Sequence, residues 1–106
     1  KKNHINLSDQ FNNNVFLGGL KLSVIDNEVQ KRFRLSSDVT GILISDVEVK
    51  SKAEKAGFQA GDIIIQIEDV EIKNFANIET ALKKYDNKFK RVYVNRYGQT
   101  ILFVVQ

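Results

Sequence analysis

The chain has 106 residues, the length of one domain, with 42% hydrophobic residues, 27% charged residues and a net charge of +3. This composition is that of an ordinary globular domain, and it excludes the disordered, collagen-like and membrane-spanning classes. The sequence has no cysteine and a single histidine, His4. These counts exclude thiol catalysis, a disulfide framework, cysteine-ligated zinc and metal sites built from several histidines.

The chain divides into two parts by composition. Residues 1–14, KKNHINLSDQFNNN, are polar and rich in asparagine, which predicts a linker or an N-terminal arm. Residues 15–106 carry the alternating and helical patterns of one folded domain. Because the sequence does not begin with methionine, we expect it to be a piece of a longer protein.

Six short segments predict strands and two or three predict helices. The predicted strands are residues 20–24, 41–47, 63–67, 70–72, 91–96 and 100–105. Asp26 or Asn27 can cap a short helix that ends at Phe33, and residues 51–56 predict a second helix closed by Gly57. A third helix follows the cap residue Asn74. We therefore predict an α+β fold, a partly open β-barrel or sandwich of five or six short strands.

The residues of a catalytic or metal site are missing from the sequence. His4 lies in the polar arm, and no G-x-S-x-G nucleophile motif occurs. The acidic clusters fit turns and a solvated strand face, and none has the spacing of a calcium loop. Residues 83–96 hold six basic side chains, but no nucleic-acid motif accompanies them. We predict no catalytic residue, no metal, no cofactor, no nucleic-acid partner and no membrane span.

The pair Gly18-Gly19 precedes the first predicted strand. Two glycines let successive N–H groups converge into an anion site, although a plain turn explains a lone Gly-Gly pair equally well. A strand follows at once, and the helix after Asn74 carries a long apolar stripe. A strand edge beside such a helix makes a groove in which an extended peptide can pair as an added strand.

Several segments together carry a family resemblance. They are FLGGLKLS at residues 16–23, QKRFRL at 30–35, DVTGILI at 38–44, AEKAGFQAGDII at 53–64 and NFANIETAL at 74–82. The sequence resembles a PDZ domain of the bacterial, circularly permuted type, and in particular the second, C-terminal PDZ domain of HtrA/Deg-type serine proteases. It departs from the family pattern at VKSK, residues 49–52, where the family often has Pro-Gly-Ser-Pro, and at Gly19, where the family prefers an apolar residue.

The resemblance implies a noncatalytic interaction domain whose parent is a serine endopeptidase with its catalytic triad upstream. It implies a peptide-carboxylate loop and a peptide-binding strand and groove. The loop residues are Leu17, Gly18, Gly19 and Leu20, and those of the strand and groove are Lys21, Leu22, Ser23, Val24, Ile78, Ala81 and Leu82. Either Leu17-Gly18-Gly19 or Gly18-Gly19-Leu20 is the working register of the loop. Ile78 and Leu82 fit equally well as plain core residues.

The resemblance also implies two kinds of partner and a compartment. One kind is the C-terminal or extended peptide segments of unfolded proteins, captured for quality control. The other is a neighbouring PDZ or protease domain of the same oligomer, in which case the domain is a structural connector in a protease cage. The implied compartment is the bacterial periplasm. A PDZ domain of another bacterial envelope protein remains an alternative.

Overall fold

The computed structural model describes residues 18–105. Its strands are β1 (Leu20–Val24), β2 (Ile42–Val47), β3 (Ile63–Ile67), β4 (Val70–Glu71), β5 (Lys90–Arg96) and β6 (Gln99–Val105). The helices of this part of the chain are α1 (Asn27–Phe33), α2 (Lys52–Ala56) and α3 (Phe75–Lys84). The predicted arm, residues 1–14, lies outside the described residues, so the predicted domain boundary stays a prediction.

The strands form one antiparallel sheet. Its order is β1-β2-β3-β5-β6, with β4 paired to β3 beside this path. Strand β3 lies in the middle of the sheet, and its apolar run fits this place because side chains on both of its faces are buried. Ile64 belongs to the main core, and Ile63, which points to the opposite face, is only 2% exposed. The predicted α+β fold is confirmed.

The main core lies between one face of the sheet and the helices α2 and α3. Each large aliphatic side chain buried there contributes about 1.5–3 kcal/mol relative to an exposed one. The buried members of the core are Leu20, Leu22, Ile42, Ile44, Ala53, Phe58, Ile64, Ile67, Ile72, Ile78, Ala81, Val92, Val94 and Val105. Strands β1, β2, β3, β5 and β6 all contribute side chains, so residues of the first and the last strand belong to the same core.

Side-chain caps begin all three helices of the described part, as predicted for Asn74 and for Asp26 as one of two candidates, whereas Ser51 was predicted inside its helix. The caps are Asp26, Ser51 and Asn74, and each side-chain oxygen accepts a hydrogen bond from the N–H three residues later, at 2.9–3.1 Å. Such a cap contributes about 1 kcal/mol. Gly57 ends α2 in the left-handed region at φ 109°, as predicted. A chain without proline therefore sets its helix boundaries with capping side chains and glycine.

Asp62, the aspartate of the AEKAGFQAGDII segment, forms a buried ion pair. Its side chain is 1% exposed, and its two oxygens accept hydrogen bonds from Nε and Nη2 of Arg96, each at 2.8 Å. The second oxygen also accepts the N–H of Gln59 at 3.0 Å, and Arg96 donates to the carbonyl of Gly57 at 2.9 Å. Asp62 thus fastens β5 to the loop that follows α2.

Glu68, at the turn between β3 and β4, binds Arg91 of β5. The Arg91 guanidinium donates to both carboxylate oxygens, at 2.9 and 3.1 Å, and the Arg91 N–H donates at 2.7 Å. These hydrogen bonds hold the pKa of the Glu68 carboxyl below its usual value. The folded state therefore favours the ionised form of Glu68 more than the unfolded state does.

This lowered pKa predicts a pH-dependent stability. The contribution of Glu68 is fully present above its unfolded pKa and is lost as the pH falls through its folded pKa. We expect the wild type to be more stable than Glu68→Gln at neutral pH, and the two to converge in acid. Urea unfolding of both chains across a pH series measures this difference. A difference that stays constant down to strongly acidic pH would contradict the prediction.

Candidate functional site

Strand β1 lies at one edge of the sheet and pairs with β2 along its inner side. Among residues 18–105, no strand pairs with its other side. Leu20 and Leu22 point into the core, at 0% and 5% exposure, whereas Lys21 is exposed and Ser23 is half-buried. An edge of this kind presents a row of N–H and C=O groups that can pair with an added extended segment.

Gly18 and Gly19 form the loop that leads into β1. Both adopt positive φ angles, 69° and 92°, which glycine reaches without the penalty that a Cβ imposes. The carbonyl of Gly19 accepts a hydrogen bond from the N–H of Glu48 at 2.7 Å. In the part of the chain that the structure describes, the N–H groups of the two glycines have no hydrogen-bond partner. Two N–H groups at the start of an edge strand are suited to hold an anion.

Ser51 explains why a glycine stands at position 19, where the family prefers an apolar residue. A Cβ built on Gly19 would overlap the Cβ and Oγ of Ser51. Ser51 is itself fixed, because its Oγ caps α2 by accepting the N–H of Glu54 at 3.1 Å. The start of β1 and the start of α2 therefore approach so closely that position 19 has no room for a side chain.

Helix α3 carries the remaining predicted groove residues, Ile78, Ala81 and Leu82. Ile78 and Ala81 are fully buried in the core that also contains Leu20 and Leu22. Leu82 is half-buried and packs against that core. Residues of α3 and β1 thus belong to one apolar cluster. Of the three predicted groove residues of α3, Leu82 is the one whose side chain stays partly exposed.

Two polar contacts hold α3 in place. At its start, Asn74 and Asn77 form a reciprocal capping box. At its end, Tyr85 Oη and Lys84 Nζ donate to the two carboxylate oxygens of Asp69, at 2.6 and 2.8 Å. Tyr85 is the C-cap residue of α3, and its contact with Asp69 anchors the helix to the β3–β4 turn.

The structure brings together most of the predicted site residues. Leu17 lies outside the described residues, so the register of the carboxylate loop stays a prediction. Gly18, Gly19 and Leu20 form one continuous turn into β1, and Val24 ends the strand with 50% exposure. The contact between Gly19 and Ser51 was missed, because no local pattern in the sequence relates two residues that lie so far apart along the chain.

A cavity of about 700 Å³ lies away from this groove. It is lined in part by Leu35, Ile63, Asn95 and Tyr97. Ile63 and Asn95 are cross-strand partners and alternate with core residues along their strands, so the cavity lies on the face of the sheet opposite to the core. None of the predicted site residues lines it.

Two features of residues 18–105 bear on other kinds of site. None of the helices is long and apolar enough to cross a membrane. The same part of the chain contains no group of three or more histidine, cysteine, aspartate or glutamate residues placed to hold a metal ion.

Sequence comparison finds two similarities. A family model described as a PDZ domain matches residues 43–89. A "Probable periplasmic serine protease do/HhoA-like" of Haemophilus influenzae is 38% identical over 64 residues. That match covers 60% of this chain and 14% of the relative, so the chain spans a small part of that protein's length.

Solved structures have the same fold. The HtrA-type protease AlgW with a decapeptide superposes with a TM-score of 0.69 at 19% identity, covering 83% of this chain and 27% of that one. The HtrA3 PDZ domain bound to a phage-derived ligand, FGRWV, superposes with a TM-score of 0.66 at 20% identity, covering 82% of this chain and 80% of that one.

Proposed function

We propose that this chain, which is similar to the PDZ domains of HtrA proteases, captures the C-terminal or extended segments of unfolded proteins for a serine protease. The domain itself is the noncatalytic part, and the catalytic triad belongs to another part of the parent. The predicted family resemblance is confirmed, whereas the circular permutation stays a prediction. The periplasm is the proposed compartment, since the Haemophilus relative is named as periplasmic.

One observation carries the proposal: the open edge of β1 begins directly after two left-handed glycines. In the proposed complex, a peptide pairs antiparallel with β1. Its terminal carboxylate accepts hydrogen bonds from the N–H groups of Gly18, Gly19 and Leu20. Its last side chain enters the space between β1 and α3, where Leu82 forms a wall above the buried Ile78.

The proposal is tested by titrating the chain with labelled peptides that end in valine, leucine or phenylalanine. We expect the free carboxylate forms to bind about 10- to 100-fold more tightly than their amide-capped forms. This is the range for hydrogen bonds to a charged group, which contribute about 1.5–3 kcal/mol. Fluorescence polarisation of each pair measures the ratio. Equal binding of the two forms would exclude the carboxylate loop.

A matched pair of variants locates the groove in the same assay. Leu82→Ala removes the proposed wall, and we expect weaker binding of every carboxylate peptide. Leu102→Ala removes a leucine from β6, at the other end of the sheet, and should leave the affinity unchanged. If both variants bind as the wild type does, the side-chain pocket lies elsewhere.

A connector role in oligomer assembly is the second candidate. One observation favours it: large apolar side chains are exposed in the segment from Phe89 to Val104, away from β1. In this role, deleting residues 15–106 from the parent changes the size of the particle while cleavage of short peptides persists. An unchanged particle size together with lost degradation of unfolded protein would favour capture instead.

A further inference from the structure

Exposed apolar side chains concentrate in the last hairpin, formed by β5 and β6, and directly before it. Residues 18–105 include six exposed large hydrophobic residues, and four of them fall between positions 89 and 104. The four are Phe89 at 69% exposure, Tyr97 at 79%, Leu102 at 50% and Val104 at 60%. A monomeric domain scatters such residues singly, so their concentration in one hairpin marks an interaction surface.

The strand register places part of this set on one face of the sheet. Leu102 pairs with Tyr93, and Val104 pairs with Arg91. Cross-strand partners point to the same face, and this is the face opposite to Val92 and Val94 of the core. The Arg91 charge is matched by Glu68, at 2.9 Å. On this outer face, the apolar side chains of Tyr93, Leu102 and Val104 are neighbours, and the one charged residue of the face within β5 and β6, Arg91, is paired.

Strand β6 also has an unprotected edge. It is the last strand of the sheet and, within the described range 18–105, pairs only with β5. Its sequence, QTILFVV, contains no charged residue and no proline, and its register with β5 is unbroken over all seven residues. Charges, prolines and bulges are the features by which natural edge strands avoid pairing with other chains.

We propose that β6 is a self-association edge, where a second copy of this chain pairs antiparallel about a two-fold axis at Leu102. This register is self-complementary, because Thr100 of each copy then faces Val104 of the other and Ile101 faces Phe103. No like charges meet, since the strand is uncharged. The two sheets join into one, and the apolar side chains of the two outer faces become neighbours. The proposal depends on neither peptide capture nor the nature of the parent.

Phe103 gives this edge a rigid support. Its ring stacks on Phe58 with 4.1 Å between the centroids, and the Arg96 guanidinium lies 5.9 Å from its centroid. Phe58 is 2% exposed and belongs to the core. The inner face of β6 is therefore fixed, so its edge is available for pairing at little further cost in conformational entropy.

Sedimentation equilibrium of the 106-residue chain, from micromolar to near-millimolar concentration, tests the proposal. We expect the average mass to rise from that of one chain to that of two. Leu102→Lys places two like charges at the two-fold axis and should restore the single-chain mass over the whole range. Val24→Lys is the matched control, because Val24 has the same 50% exposure but lies on β1. This variant should still dimerise.

Four results would overturn the proposal. One is a single-chain mass at every concentration. Another is a dimer that survives both Leu102→Lys and the neighbouring Val104→Lys, with circular dichroism showing that the variants are folded. A third is a dimer lost in Val24→Lys instead, which would place the contact at β1. The last is a dimer that forms only after residues 1–17 are removed, since the chain's own N-terminal segment would then occupy the edge.

Discussion

Replacing Asp62 by alanine is expected to lower the free energy of unfolding by about 3–5 kcal/mol, the usual cost of removing one partner of a buried ion pair. Asp62 is 1% exposed, and its loss leaves the Arg96 guanidinium, 23% exposed, without its carboxylate. It also removes the acceptor of the Gln59 N–H. Urea unfolding at neutral pH measures the change, with the slope of the transition checked for two-state behaviour.

A second ion pair, formed by Arg91 of β5 with Glu68, offers a matched control for the pair of Arg96 with Asp62. Arg91→Met removes the ion pair with Glu68, in which the Arg91 side chain is 57% exposed. We expect this variant to lose less stability than Asp62→Ala, because both partners keep access to water, with Glu68 itself 17% exposed. The double variant Asp62→Leu/Arg96→Met should recover part of the loss caused by Asp62→Ala, since apolar pairs replace buried ion pairs well. Equal losses of stability in Asp62→Ala and Arg91→Met would contradict the prediction, because they would show that burial of an ion pair does not determine its contribution.

Gly19→Ala is expected to lower the free energy of unfolding by about 2–4 kcal/mol, from backbone strain and steric overlap together. The φ of 92° is unfavourable for alanine, and the new Cβ would overlap Ser51. The loop must then shift, and its N–H groups shift with it. We therefore expect at least tenfold weaker binding of carboxylate peptides in the polarisation assay. Unfolding and titration of the same sample separate the two effects.

Gly98→Ala is the control for the strain. Gly98 has nearly the same φ, 90°, but a Cβ at this position would have no atom within 4 Å. The variant should lose less stability than Gly19→Ala and keep its affinity for peptides. Adding Ser51→Gly to Gly19→Ala should restore part of the stability, because glycine in place of serine at a helix cap costs only a few tenths of a kcal/mol. No recovery in this double variant would contradict the close approach.

The helices and strands of the fold could be predicted from the sequence because the patterns that indicate them are local. Ser51 and Asn74 cap helices through contacts three residues away, and Gly57 ends α2 without reference to the rest of the chain. The apolar run of β3 indicated burial on both faces. The AEKAGFQAGDII segment helped to indicate the resemblance to PDZ domains, and the fold of residues 18–105 agrees with that resemblance.

The residues of the groove could be predicted only in part from the sequence. The stripe of α3 placed Ile78 and Leu82 on one side of a helix, but it left open which of them is core. In the structure Ile78 is fully buried and Leu82 is not. The difference in burial between Ile78 and Leu82 depends on the rotation of α3 about its own axis. The contacts of Lys84 and Tyr85 with Asp69, at the C-terminal end of the helix, help to set that rotation.

The sequence by itself determined the elements, the cap residue Asn74, the pair of glycines before β1 and the family resemblance. These features depend on backbone preferences and on contacts within a few residues. Only the tertiary structure decided the features that depend on distant segments. They are the pairing of Asp62 with Arg96, the approach of Ser51 to Gly19 and the shared exposed face of Leu102 and Tyr93. Each requires two parts of the chain to meet in space, and no local pattern encodes that meeting.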